Sequence, residues 1–221
     1  NYKFNLLRLN NFMKDINFYK YTPIDGDICI ELGSANGIET LIISKLIGNN
    51  GKIFAVEASP KNYHMLETCI EKNNLNNVVP LNLAVTEKKG KVYIEEDSVD
   101  YIKNNIFAPQ KNNSAEVLSL SMDDIIENYN IKKIDYLKVN IEGSEKLMIK
   151  GFNKINIVNN LAISCHDFLG RRNGDKNLYT KDLIVDFLLD NNFTLYNRET
   201  GTDYKDDWIY GLNNKIINNP S

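Results

Sequence analysis

A short stretch of the chain combines a carboxylate with two closely spaced glycines. Residues 27–40 read DICIELGSANGIET, so that an apolar run leads into Glu31, then into Gly33 and Gly37, and then into a segment with one apolar face. Glycines at these positions allow a tight turn and let the backbone approach a ligand closely. The first N–H groups of a helix are also free to bind a ligand. The stretch therefore predicts a ligand-binding turn between a buried strand and a helix.

A second carboxylate, Glu57, follows this turn by about 20 residues and ends the apolar run KIFAVE. A carboxylate at this position can accept hydrogen bonds from both ribose hydroxyls of a nucleoside cofactor. NAD and S-adenosylmethionine both fit this feature. The dinucleotide fingerprint is GxGxxG, however, and position 35 is alanine. The turn therefore favours S-adenosylmethionine, whose amino-acid end is less anionic than a pyrophosphate.

Three further predicted strands lead into polar ends, at 82–84 (NLA), 140–145 (NIEGSE) and 166–167 (HD). Strands that alternate with helices of 10–15 residues predict βαβ units, hence a parallel sheet with helices on both faces. Right-handed crossovers bring the C-terminal ends of these strands to one rim, where ligands of such sheets bind. We therefore expect the glycine turn, Glu57 and these strand ends to surround one site.

The remaining pattern predicts one domain, residues 25–221, preceded by a helical lead-in over residues 1–24. The predicted strands cover residues 27–32, 52–57, 78–85, 90–96, 116–120, 134–143, 160–168, 193–197 and 207–212. The predicted helices cover residues 37–48, 59–74, 121–130, 144–152 and 178–192. We expect residues 207–212 to form an edge strand. Residues 97–115 show no clean hydrophobic periodicity, and we expect them to form a lid over the bound substrate.

The composition is typical of a globular protein and argues against several other classes of protein. Hydrophobic residues make up 43% and charged residues 25%, the net charge is −3, and no basic stripe stands out, so nucleic acid is not an expected partner. The three cysteines form no CxxC pair, which argues against a zinc site or a disulfide framework and favours a reducing, cytoplasmic compartment. No apolar stretch approaches the roughly 18 residues of a membrane helix, and the first ten residues lack the apolar region of a signal peptide.

Four stretches resemble the FkbM-type class I methyltransferases: ELGSANGIETL, AVEASPKNYHML, NLAV and IDYLKVNIEGSEKLMIKG. The resemblance covers about residues 25–168. The resemblance implies an α/β, Rossmann-like class I methyltransferase fold with a mostly parallel seven-stranded sheet. It also implies S-adenosylmethionine as cofactor and, most often, O-methylation of a sugar or natural-product hydroxyl.

The residues that match these motifs form the predicted site. Those expected to bind the cofactor are Glu31, Gly33, Ser34, Ala35, Asn36, Gly37, Thr40, Glu57, Ala58, Ser59, Asn82, Ala84 and Asn140. The predicted catalytic residues are His166 as general base, because a free imidazole titrates near neutral pH, with Glu142 and Asn140 orienting the acceptor. The family usually has Asp where this chain has Asn140. That difference argues against a metal-assisted or Asp-based mechanism, and no metal is expected.

Two other functions stay open at this point. One is an NAD-dependent sugar oxidoreductase or epimerase, against which the missing GxGxxG loop argues. The other is a non-catalytic member that keeps the cofactor pocket, a hypothesis that Asn140 in place of Asp keeps open. The methyl acceptor is expected to be a small molecule or a glycan, and the sequence leaves both its identity and the oligomeric state open.

Overall fold

The computed structural model describes residues 13–95 and 114–217. The strands are β1 Ile28–Leu32, β2 Lys52–Glu57, β3 Val78–Asn82, β4 Ala84–Val85, β5 Gly90–Glu95, β6 Ser114–Leu120, β7 Ile134–Val139, β8 Val158–Ser164, β9 Phe193–Tyr196 and β10 Trp208–Asn213. The helices are α1 Ile38–Ile47, α2 Pro60–Asn73, α3 Met122–Asn128, α4 Glu145–Met148, α5 Asp167–Asn173, α6 Lys181–Asp190, α7 Asp203–Asp206 and α8 Asn214–Ile217. Short 3₁₀ turns lie at Ile149–Gly151, Ile155–Ile157 and Lys176–Leu178.

The main sheet has seven strands in the order β3-β2-β1-β7-β8-β10-β9. The first five strands run parallel, and β10 runs antiparallel to both β8 and β9. The predicted mostly parallel seven-stranded sheet is confirmed. The reversal from β3-β2-β1 to β7-β8 puts a topological switch point between β1 and β7, where ligands of such sheets bind.

The sheet separates two apolar cores, because successive side chains of a strand point to opposite faces. In β1, Ile30 and Leu32 belong to one core and Cys29 to the other. Residues of α3, α4 and α6 pack in the first core, and residues of α1 and α2 in the second. Helices therefore cover both faces, which is why β1 and β7 are buried along almost their whole length.

Several predicted elements differ from the observed ones. The predicted strand 78–85 is broken at Leu83, so that β4 joins β6 and β5 in a separate three-stranded sheet. The prediction that 207–212 is an edge strand is wrong, because β10 lies between β8 and β9.

Two boundaries also shift, and some predictions fall on residues outside the described part. The predicted strand 160–168 ends at Ser164, and its last two residues open α5. The predicted helix 144–152 forms only α4 and a 3₁₀ turn. Most of the predicted lid (97–115) and the first half of the lead-in (1–24) lie outside the described residues. None of the described helices is long and apolar enough to cross a membrane.

Candidate functional site

The glycine turn after β1 depends on two residues without side chains. Gly33 has φ +81°, and a Cβ there would lie 2.0 Å from the carbonyl oxygen of Asn140, at the end of β7. Gly37 has φ +80°, and a Cβ there would lie 2.9 Å from Leu66 of α2. Gly33 therefore lets the β1 turn contact the β7 end, and Gly37 lets α1 begin against α2.

Glu57 ties the end of β2 to this turn. Its Oε2 accepts a hydrogen bond from the Ala35 N–H at 2.7 Å, and its Oε1 accepts one from the Ser59 N–H at 2.8 Å. Burial raises the pKa of Glu57, although both backbone donors act in the opposite direction. The Asn62 side chain also donates to this carboxylate, so that of its roughly four lone-pair sites about one remains for a ligand.

These residues line a cleft at the carboxyl rim of the sheet. The predicted site residues in its lining are Gly33, Ala35, Glu57, Ala58, Ser59, Ala84, Asn140 and Glu142. The lining also includes Leu32, Val56, Asn62, Leu83, Val85, Ile94, Ile141 and Ser144, which sequence reasoning missed. Leu83, Val85 and Ile94 give the cleft an apolar wall. The pattern did not show this wall because it depends on the break after β3 and on the second sheet.

The other predicted site residues lie outside this lining: Glu31, Ser34, Asn36, Gly37, Thr40, Asn82 and His166. Three of those predicted to bind the cofactor form hydrogen bonds with other groups of the protein. Asn36 accepts from the Ile38 N–H at 3.3 Å, and the Asn82 amide donates to the carbonyl oxygen of Glu57 at 2.9 Å. The hydroxyl of Ser34 donates to the carbonyl oxygen of Glu31 at 3.4 Å. These contacts make them residues that shape the turn and the strand ends.

A buried ion cluster, here called the lysine cluster, contacts the backbone of the glycine turn. It consists of Lys138 on β7, Glu31 on β1 and Glu39 on α1. Lys138 Nζ lies 3.4 Å from Glu31 Oε1 and 2.7 Å from Glu39 Oε2, and it donates to the carbonyl oxygen of Gly33 at 3.1 Å. Thr40 donates to the other Glu31 oxygen at 2.5 Å. Burial alone would lower the pKa of Lys138, but the charges of Glu39 and Glu31 raise it, so that the amine stays protonated.

A second cluster, the histidine cluster, lies beyond β7 and β8 and consists of His166, Glu145 and Glu142. His166 Nδ1 lies 3.1 Å from Glu145 Oε1, and its Nε2 lies 3.5 Å from Glu142 Oε1. His166 is 3% exposed and Glu145 fully buried, whereas Glu142 is partly exposed and lines the cleft. Burial would lower the pKa of His166, but the charges of Glu145 and Glu142 raise it to about 10.

The role of His166 as general base stays a prediction, and this geometry argues against it. An imidazole whose pKa is about 10 already carries its second proton at neutral pH. Both ring nitrogens also face carboxylates of the protein. Sequence reasoning used the ordinary histidine pKa and did not place the two glutamates against the ring.

Asn140 contributes a buried hydrogen-bond acceptor at the start of the turn between β7 and α4, here called the β7 corner. Its backbone N–H donates to the carbonyl oxygen of Leu32 at 3.0 Å, and its side chain lines the cleft. Among the described residues, no group donates a hydrogen bond to its buried Oδ1 atom. A buried carbonyl without a donor is costly, so this atom is suited to accept from a ligand. No group of three or more His, Cys, Asp or Glu side chains within the described ranges could hold a metal ion.

Backbone strain is concentrated at the same rim. In the described part of the chain, six residues other than glycine have positive φ, and Asn74, Asn130 and Asn192 account for three of them. Asparagine tolerates this conformation. The other three are Ala35, Glu142 and His166. Strained residues of this kind persist where the surrounding contacts hold them, and they cluster at functional sites.

Comparison with known proteins agrees with this architecture. The family model described as Methyltransferase FkbM domain matches residues 31–195. The hexuronic acid methyltransferase AglP of Haloferax volcanii is 23% identical over 143 residues, which are 64% of this chain and 57% of AglP. The chain therefore spans little more than half the length of this curated relative.

Two solved structures share the fold at low identity. Methyltransferase FkbM from Methylobacillus flagellatus matches with a TM-score of 0.57 and 16% identity, covering 85% of this chain and 44% of that one. The O-methyltransferase from Bacillus cereus, solved in complex with SAH, matches with a TM-score of 0.54 and 13% identity, covering 94% and 78%. At these identities the likeness shows the Rossmann-like fold of class I methyltransferases.

Proposed function

Because the chain belongs to the FkbM methyltransferase domain family, we propose that it is an S-adenosylmethionine-dependent methyltransferase acting on a hydroxyl of a sugar or small metabolite. One observation carries the cofactor assignment: Glu57 and Gly33 line the same cleft, at the switch point of the sheet. The solved relative from Bacillus cereus, which was crystallised with SAH, supports this assignment at the level of the fold.

The cleft residues fit a sulfonium nucleoside. Leu83, Val85 and Ile94 offer an apolar surface for the adenine, and the remaining lone pair of Glu57 suits a ribose hydroxyl. Gly33 also lines the cleft, where the backbone of its turn can meet the amino-acid end. The cofactor, when bound, supplies an electrophilic methyl group on its sulfonium sulfur.

The protein then has to place the acceptor oxygen in line with this methyl group and exclude water, and positioning alone contributes several kcal/mol. Asn140 and Glu142 are the polar side chains of the lining that lie at the β7 corner. The unpartnered Oδ1 of Asn140 can accept from a donor of the cofactor or of the acceptor. AglP is named a hexuronic acid methyltransferase, which makes a sugar hydroxyl the first acceptor class to test here.

Isothermal titration calorimetry tests the cofactor. We expect the wild-type protein to bind S-adenosylmethionine and SAH but not NAD, and Glu57→Ala to weaken binding about 10- to 100-fold because the hydrogen-bond acceptor for the ribose is lost. Glu71→Gln on the exposed side of α2 is the matched control and should bind normally. Binding of NAD instead would favour the oxidoreductase alternative.

Mass spectrometry of acceptor mixtures tests the reaction. We expect methyl addition to neutral sugars or hexuronic acids in the presence of S-adenosylmethionine. Tight cofactor binding with no transfer across a broad panel of hydroxyl acceptors would instead favour a non-catalytic member of the family. A cytoplasmic location and the absence of nucleic acid as partner stay predictions, and the free thiols of Cys29, Cys69 and Cys165 are consistent with a reducing compartment.

A further inference from the structure

We propose that the carboxylate of Glu142, and not the imidazole of His166, accepts the proton of the acceptor hydroxyl, and that His166 and Glu145 form a fixed pair that positions Glu142 in the cleft. The proposal rests on the proposed methyltransferase function and names the residue that meets the acceptor.

The three members of the histidine cluster differ in their access to the cleft. Glu142 lines the cleft and its side chain is 18% exposed, whereas the side chains of His166 and Glu145 are 4% and 0% exposed. An acceptor entering the cleft therefore reaches the carboxylate first. The imidazole lies behind it, with Nε2 directed to Glu142 and Nδ1 to Glu145.

The pair behind Glu142 is held rigidly. Glu145 begins α4, and its Oε1 also accepts from the Ile141 N–H at 3.3 Å, which fixes the β7 corner. The ring of Phe168 stacks on His166 with centroids 6.3 Å apart. The charges nearest to the imidazole are thus two carboxylates, one on each nitrogen.

The proton transfer balances without a further reactant. As the acceptor oxygen bonds to the methyl carbon, its O–H bond breaks, and the proton passes to Glu142, whose charge changes from −1 to 0. A strong base is not needed, because the hydroxyl becomes acidic only as the new bond forms. Proton acceptance of this kind contributes about 10²- to 10⁴-fold to a rate.

The activity test compares three variants. We expect Glu142→Gln to lower kcat about 100-fold with unchanged S-adenosylmethionine affinity, and His166→Gln, which keeps an N–H donor, to lower it about tenfold. Glu71→Gln is the control for the loss of a glutamate charge. Wild-type kcat should be flat between pH 6 and 8. A rise in kcat with an apparent pKa near 6.5, abolished in His166→Gln while Glu142→Gln stays active, would overturn the proposal.

A readout independent of turnover is NMR titration of the two histidines, with the signals assigned by His64→Gln. We expect His166 to stay protonated up to about pH 9, and its titration to move to lower pH in Glu142→Gln and Glu145→Gln. An imidazole that titrates near pH 6.5 in the wild type would contradict the proposal even if no acceptor has been found. A wild-type protein that binds the cofactor, keeps His166 protonated and transfers no methyl group would refute the proposed function and the assignment of Glu142 with it.

Discussion

The lysine cluster and the histidine cluster share one arrangement, a buried cation between two glutamates, but they differ in what the cation does. Lys138, whose ordinary pKa lies well above neutral, stays charged because Glu39 and Glu31 offset the effect of burial on that pKa, and it donates to the backbone of the glycine turn. His166 is charged only because Glu142 and Glu145 face it. The lysine cluster lies outside the cleft lining, whereas the histidine cluster presents Glu142 to it.

This difference separates a structural role from a functional one. A permanent cation is suited to holding a turn in one geometry at any pH. A titratable cation held protonated by its partners orients a carboxylate that lines the cleft. The comparison predicts that the first cluster matters most for stability and cofactor affinity, and the second for kcat and for the pH dependence of stability.

Removal of the lysine charge should have the largest effect. Lys138→Met leaves the fully buried Glu31 without its cation, and loss of one member of a buried pair costs about 3–5 kcal/mol of unfolding free energy. Urea denaturation measures this change. The double variant Lys138→Met/Glu31→Gln should recover much of the loss, because the only carboxylate then left without its cation is that of Glu39, which is partly exposed. A single variant within about 1 kcal/mol of the wild type would show that the lysine cluster does not hold the turn.

A side chain at the glycine turn should have the next largest effect. Gly33→Ala and Gly26→Ala both force alanine into a left-handed backbone, which costs about 1–2 kcal/mol, but only at Gly33 would the new Cβ overlap another atom. We expect Gly33→Ala to be the less stable variant by thermal denaturation and to lose most of its affinity for SAH. Equal stability and affinity of the two variants would mean that the close contact between the β1 turn and Asn140 is unimportant.

The histidine cluster should make the stability of the protein depend on pH. The pKa of His166 is about 10 in the folded protein and about 6.5 in the unfolded chain, so its stabilising contribution is complete below about pH 6.5 and is lost as the pH rises to about 10. The slope is at most about 1.4 kcal/mol per pH unit. Urea denaturation of the wild type and His166→Gln across this range measures it as a difference. Parallel curves for the two proteins would show that the imidazole is not held protonated.

The smallest effect is expected where an ion pair is short but exposed. Lys91 and Glu116 lie 2.6 Å apart on the β5–β6 hairpin, with side chains 69% and 44% exposed. Because solvent screens such pairs, Glu116→Gln should leave the urea midpoint unchanged within error. A loss comparable to that of Lys138→Met would mean that burial does not distinguish the lysine cluster from this exposed ion pair.

Sequence patterns predicted the parts of the site that depend on backbone alternation. The buried strand before Gly33, the turn at Gly33 and the position of Glu57 follow from apolar runs that end in polar residues, and the structure brings them together. The apolar wall of the cleft was not predictable in this way. Leu83 lies at a break between two sheets, which the single predicted strand 78–85 does not reveal.

The charge state of the site was equally hidden. Lys138 lies inside a buried strand, and only the contact between β7 and β1 shows that Glu31 and Glu39 compensate it. His166 was assigned as a base from its residue type, but its chemistry is set by Glu142 and Glu145, whose side chains reach it across a corner. Local sequence predicts where polar residues collect, whereas protonation depends on distances that arise only in the folded chain.

A crystal structure with SAH would show whether the cleft at the carboxyl rim is a cofactor site. We expect the adenine to lie against Leu83, Val85 and Ile94, the ribose to bind Glu57, and the amino-acid end to lie at Gly33. If SAH bound elsewhere, or if it occupied the cleft with Glu57 turned away from the ribose, the claim would be contradicted.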